Sequence, residues 1–395
     1  AANVADASNA FSFKDNDTLI IGTVDGTDGV RTSNSNVTIN LNAGDLTQTA
    51  GAIFEGSGLE LTAPGGITLN EANAIDTIAA LVGGANNALQ FTDSDGFSVG
   101  TVGARAGVGT SNGAITLVAT TGNITVLDTA APDDVLAGNS TAVITANGND
   151  DTFTISSGAD AQATGGVTLT ADKMDIAGTI TATGAVVTLQ PETVADADAI
   201  SLGVIGDGTG ATLELSDEEL NRVTALTMRI GSGSVGAINV DGAISPANIT
   251  NLSLLSALGL SQSGGATVTL TGGLRIDVVL AAAMNENNDV TFLAANVANV
   301  NQAFSFKDND TLVISTVDGI TGVSTNNANV TLTVNGGTLT QASGALIQAT
   351  GLAASASGGI TLNEANTIST LGASVSGSGD IIEFTDADGF DINSV

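Results

Sequence analysis

The sequence predicts an all-β fold, a parallel β-helix (β-solenoid) with about 19–20 residues per coil. Three observations predict it: a long tandem repeat, a shorter repeat inside it, and apolar runs of period two separated by glycine turns in a chain with few aromatic residues.

The long repeat has an offset of 293 residues: Phe11 to Leu19 return unchanged as Phe304 to Leu312, and Gly66 to Asn73 as Gly359 to Asn366. Every position from Ala1 to Val102 has a gapless counterpart from Ala294 to Val395, and more than half are identical. Residues 1–395 are therefore expected to form one continuous solenoid, with 1–293 as one long unit and 294–395 as the start of a second copy. A catalytic domain gains little from being copied end to end, whereas a scaffold becomes longer. Within the unit, Phe13, Asp15, Asp17 and Gly22 recur as Phe91, Asp93, Asp95 and Gly100, an offset of 78. Both offsets divide by about 19.5, which gives roughly 4 and 15 coils.

The strands follow from local pattern. Val37-Thr38-Ile39, Ile67-Thr68-Leu69, Ile115-Thr116-Leu117, Ile124-Thr125-Val126 and Val167-Thr168-Leu169 alternate between an apolar and a polar face. Gly65-Gly66, Asn112-Gly113 and Gly122-Asn123 punctuate them as turns. A narrow coil interior filled by stacked Val, Ile, Leu and Ala explains a content of only 3% aromatic residues, and each strand would pair with its equivalent in the next coil about 4.8 Å away. The Phe residues of the repeated motifs, Phe11, Phe13, Phe91, Phe97, Phe304, Phe306, Phe384 and Phe390, are expected to fill the wider corners. Ser216-Asp217-Glu218-Glu219 has the form of a capping box ahead of Leu220, Val223 and Leu226, so a short helical turn is expected there. Ser245-Pro246-Ala247, ahead of a Leu-rich stretch ending at Leu260, is a second helical candidate.

Composition excludes several functions. Eight Lys and Arg against 41 Asp and Glu give a net charge of −33, which leaves no basic stripe for nucleic acid. Only 12% of residues are charged, so the chain is not a disordered acidic tail; its acidity would keep a long assembly soluble. No run of 18 apolar residues exists, and no membrane span is expected in this segment. Without His or Cys, nucleophilic triads and zinc sites lose their usual groups. Zero Cys also fits an exported protein that crosses a membrane unfolded.

The runs Leu89-Gln90-Phe91, Asp95-Gly96-Phe97-Ser98-Val99-Gly100-Thr101-Val102, Thr110-Ser111-Asn112-Gly113-Ala114-Ile115-Thr116-Leu117 and Thr121-Gly122-Asn123-Ile124-Thr125-Val126 resemble those of filamentous-haemagglutinin-like bacterial repeat proteins. So does Leu215 to Ala225 followed by Gly236-Ala237-Ile238-Asn239-Val240. The resemblance covers nearly the whole chain. It implies a right-handed parallel β-helix, secreted or displayed at a bacterial cell surface, often as part of a giant adhesin. The family's amino-terminal secretion module is not visible in this stretch.

One candidate site emerges. Asp15/Asp17, Asp93/Asp95, Asp308/Asp310 and Asp386/Asp388 each place two carboxylates one residue apart. With turn carbonyls they could build an oxygen shell for Ca²⁺, but the spacing of an EF-hand is absent and the residues favour Asx-turns that cap strand ends. No catalytic or cofactor-binding residue is assigned, and the chain is not expected to be an enzyme. A carboxylate-based, polysaccharide-active β-helix is the minor alternative, set back by the lack of Trp and Tyr platforms. The expected function is an extracellular filament or scaffold whose main partner is itself, by end-to-end stacking or continuation of the solenoid. The alternative is an adhesin stalk with a cell-surface or polysaccharide ligand.

Overall fold

The computed structural model describes residues 1–6, 9–129, 134–192, 198–204 and 212–395. It is all-β, with 62% strand and 1% helix, and its parallel coils stack as a β-solenoid of about 17 turns. The chain divides into two compact units, one formed by Ala1–Ala195 with Arg222–Ala225 and the other by Asp196–Asn221 with Leu226–Val395.

In the first unit, Leu19, Leu46, Ile67, Leu89, Ile115, Ala142, Val167 and Val187 lie in parallel register, each on the next coil's strand. All but Leu19 are buried. The period-two reading explains why: in Ile115–Ala119 the residues Ile115, Leu117 and Ala119 face the interior and are fully buried, while Thr116 and Val118 lie on the outer face and are half-exposed. In the second unit Ile238, Leu260, Ala282, Phe304, Val330, Leu352, Leu371 and Ile392 form an equivalent column.

The coils are longer than 19–20 residues. The steps along the first column run from 20 to 27 residues, because turns and small excursions of different length are spliced between strands of conserved register. Nor is 78 a whole number of coils. Phe13 stacks under Ile39, Leu61, Ala80 and Val108, whereas Phe91 sits on Leu69 in the column that begins at Leu19–Ile21. The motif thus returns on a different face of the coil. What repeats is a strand-turn module, which any face can accept because each offers the same ladder and an apolar interior.

Three excursions are antiparallel hairpins: Thr23–Val24 with Thr27–Asp28, Thr101–Val102 with Arg105–Ala106, and Thr316–Val317 with Ile320–Thr321. The turns of the first and third, Asp25-Gly26 and Asp318-Gly319, have positive φ at both central residues, the geometry that suits a two-residue hairpin.

Asp217–Leu220 is a single helical turn, as the sequence predicts. Ser216 Oγ accepts from the Glu219 amide, Glu219 Oε2 accepts from the Ser216 amide, and Leu220 is buried. The second helical candidate is a strand, Ile249–Ser256. Its Leu252 and Leu254 are fully buried and pair in register with Leu274 and Ile276, so the ladder to the next coil outweighs local helix propensity. Ser245 and Ala247 instead donate backbone N–H groups to Asp217 Oδ1 and Asn221 Oδ1 and brace the helical turn. Stacking also departs from chain order at one place among the described residues: Ile200 lies between Leu213 on one side and Ile238 on the other.

Of the repeated Phe residues, Phe91, Phe97, Phe304 and Phe306 are buried, and Phe91 meets Phe97 edge-on at 5.1 Å. Phe384 and Phe390 make the same contact at 5.1 Å on a coil that leaves them half-exposed. Phe11 is half-buried and Phe13 is 40% exposed.

Candidate functional site

Three of the four Asp pairs share a division of labour. In each of the last three, the first carboxylate turns inward and binds backbone N–H groups while the second lies at the surface. Asp93 is fully buried, with Oδ2 accepting from the Ile75 amide at 3.0 Å and Oδ1 from the Asp95 amide at 3.1 Å. Asp308 repeats this with Val290 and Asp310, and Asp386 with Ile368, Asp388 and Gly389. Asp95, Asp310 and Asp388 are exposed. In the first pair, Asp15 Oδ1 accepts from the Asn16 amide at 2.6 Å and Asp17 Oδ1 from the Thr18 amide at 2.8 Å. Among the described residues no three carboxylates converge into a cluster that could hold a metal ion.

Burial separates the three inward carboxylates electrostatically. Desolvation pushes the Asp93 carboxyl up to about 7, against the pull of its two amide donors. Asp308 is raised to about 6 for the same reason, with Asp289 and Asp310 adding like-charge repulsion. Asp386 keeps the same donors on a more exposed coil; the desolvation there is outweighed by the amides of Asp388, Ile368 and Gly389, and its carboxyl falls below the usual range.

Each inward carboxylate belongs to a larger polar corner that the sequence reading missed. Asn73 is fully buried; its Nδ2 donates to the carbonyls of Leu69, Glu71 and Thr92, and its Oδ1 accepts from the Phe54 amide and Gln48 Nε2. Asn288 does the same with Met284, Glu286, Lys307, Val268 and Gln262, and Asn366 with Leu362, Glu364, Thr385, Ile347 and Gln341. Gln, Asn and Asp thus come from three successive coils and satisfy a bulge where the register shifts between Leu69 and Asn73. The readable signal was the recurrence of Leu-Thr-Gln at 46–48 and 339–341 at the same 293 offset as the Asn and Asp motifs.

A second constellation pins a hairpin to the coils. Asp318, at the tip of the third hairpin, accepts from Arg229 Nε and Nη2 at 2.7 Å each, from Arg275 Nη1 at 3.2 Å and from Ser253 Oγ at 2.8 Å. Arg275 Nη1 also donates to the Asp318 carbonyl at 2.8 Å, and its Nη2 pairs with Asp277. Burial would raise the Asp318 carboxyl, but the Arg229 and Ser253 bonds and the two nearby guanidinium charges hold it below the usual carboxylate range. Beside it Val317 presses onto Gly273, where a side chain would meet Val317 Cγ2 at 2.7 Å. Val102 covers Gly58 in the same way at 2.8 Å, and Val395 covers Gly351 at 2.8 Å, each pair 44 residues apart.

These arrangements hold polar atoms in fixed geometry, with only Arg275 Nε of the Asp318 constellation buried without a partner, which is the chemistry of a clasp. No helix among the described residues is long and apolar enough to cross a membrane. No known protein-family model, curated protein or solved structure matches the chain.

Proposed function

We propose that the chain is part of a bacterial extracellular scaffold, a filament built from tandem β-solenoid repeats of the filamentous-haemagglutinin-like kind, with no catalytic role. The observation that carries this reading is the recurrence of whole structural assemblies at the long offset. The Gln48–Asn73–Asp93 corner returns as Gln341–Asn366–Asp386, and Thr23-Val24-Asp25-Gly26 returns as Thr316-Val317-Asp318-Gly319. Duplication that preserves coil-to-coil contacts multiplies length while each added coil buries its apolar face on its neighbour. The family resemblance and the Cys-free composition support export.

Assembly without ligand tests the proposal. Purified chain, examined by electron microscopy over a range of concentrations, should form or extend filaments on its own. Monodisperse particles at every concentration, together with saturable binding to a cell surface or polysaccharide, would favour the adhesin stalk instead.

A further inference from the structure

Two copies of one hairpin occupy different circumstances in this chain. In the second copy, Val317 is 3% exposed over Gly273 and Asp318 is gripped by Arg229 and Arg275. Beneath the same copy, Ala282 and Met284 pair with Phe304 and Phe306, Phe292 and Leu293 pair with Val313 and Ile314, and Ile276 pairs with Ala295. In the first copy the counterparts stand in solvent: the identical hairpin residues Val24 and Asp25 are exposed, Val24 by 62%, and Phe13 and Ile20, the counterparts of Phe306 and Val313, are 40% and 60% exposed.

We infer that the face formed by Phe13, Ile20, Val24 and Asp25 is a docking surface for residues 229–293 of another copy of the 293-residue unit, with Asp25 entering between that copy's Arg229 and Arg275. Charge selects this occupant. Asp25 needs a platform with arginine beside the receiving glycine, which Gly273 has in Arg275, two residues on. At the platform of the middle hairpin the corresponding residues are Gly58 and Glu60, and the tip residue there is Gly103, whose added side chain would collide with the Glu60 carboxylate. An Asp tip on the Glu60 platform would meet like charge, and a Gly tip on the arginine platform would leave two guanidinium groups without their carboxylate. The third platform, Gly351, carries Ala353 at the same spacing and offers no cation. The hairpins thus act as register keys: the end of the unit fits its own beginning and rejects the other coils. Within one chain Gly273 and both arginines are already engaged by Val317 and Asp318, so the occupant is a different copy of the unit.

This inference rests on the scaffold reading only in taking the unit to be tandemly repeated, and its test does not depend on filament formation. The full chain is compared with the same chain carrying a second copy of residues 196–293 joined ahead of Ala1, and amide hydrogen exchange is read over residues 11–28. The expected result is that exchange at Leu19–Ile21 and in the Thr23–Asp28 hairpin slows by at least about tenfold, toward the rates of Leu312–Ile314 and Thr316–Thr321 in the same molecule. Charge reversal of the two arginines in the added copy alone, Arg229→Glu with Arg275→Glu, should return the hairpin to its fast rate while residues 304–321 stay protected. Unchanged exchange in the extended chain, or hairpin protection that survives the double reversal, would overturn the inference.

Discussion

Asp318 accepts two 2.7 Å hydrogen bonds from the guanidinium of Arg229, a residue 89 positions earlier in the chain. The fork is bidentate, and Ser253 and Arg275 complete the carboxylate's shell. A charge this enclosed is stabilising only while its partners remain. Replacing Asp318 by Ala should therefore cost about 2–4 kcal/mol locally, because it strips Arg229 of its carboxylate and leaves Arg275 only Asp277. Hydrogen exchange over residues 316–321 should accelerate in that variant, and Arg229→Ala should produce a smaller change of the same kind.

The carboxylates pull stability in opposite directions with pH. Asp93 and Asp308 have folded values raised to about 7 and about 6, so their contribution is fully present below pH 4 and is lost as pH rises through 6 to 7. Asp318 and Asp386 are lowered, so theirs is present above pH 4 and lost as pH falls below it. An Asp93→Asn variant should accordingly be most destabilised relative to the parent at pH 4 and below, with the gap closing by pH 8. Denaturant midpoints measured across that range check this; a gap that widens with rising pH would contradict the assignment.

Asn73 carries more bonds than any one apolar residue could replace. An Asn73→Ala change strands the Phe54 amide, the Gln48 side chain and the carbonyls it serves, and should cost about 3 kcal/mol or more. Ile67→Asp places an unpaired charge at a fully buried position and should cost several kcal/mol. Thermal unfolding followed by circular dichroism should rank both well above an outer-face change such as Thr116→Ser.

Calcium offers a separate check. Asp93 and Asp308 already spend both oxygens on amides, so saturating Ca²⁺ should shift the unfolding midpoint by less than about 1 °C. A rise of several degrees that disappears in Asp95→Asn would support a metal at the acidic turns.

Much of the fold was legible because strand period and turn residues act locally. Val37, Ile39 and Leu41 point inward as alternation requires, and Ser216 to Glu219 form the capping box their spacing implies. Ile249–Ser256 misled because Ser-Pro before a Leu-rich run also suits a helix, and only the ladder to the next coil decides. The 78-residue offset was visible, but its meaning was not: side-chain identity repeats while the face does not, so dividing by a coil length gave the wrong period. The polar corner was half legible. Asn73 and Asp93 were noticed in separate motifs, and their meeting with Gln48 depends on coil lengths that no local pattern sets. The Arg229–Asp318 clasp had no signal at all beyond the scarcity of arginine, since it joins residues 89 positions apart in the chain.

The most direct measurement is fibre diffraction or helical electron microscopy of the native assembly. A meridional spacing near 4.8 Å along the filament axis is the predicted result, because parallel strands stacked coil on coil repeat at that distance. Filaments lacking it, with strands running along the axis, would contradict a scaffold made of stacked solenoid coils.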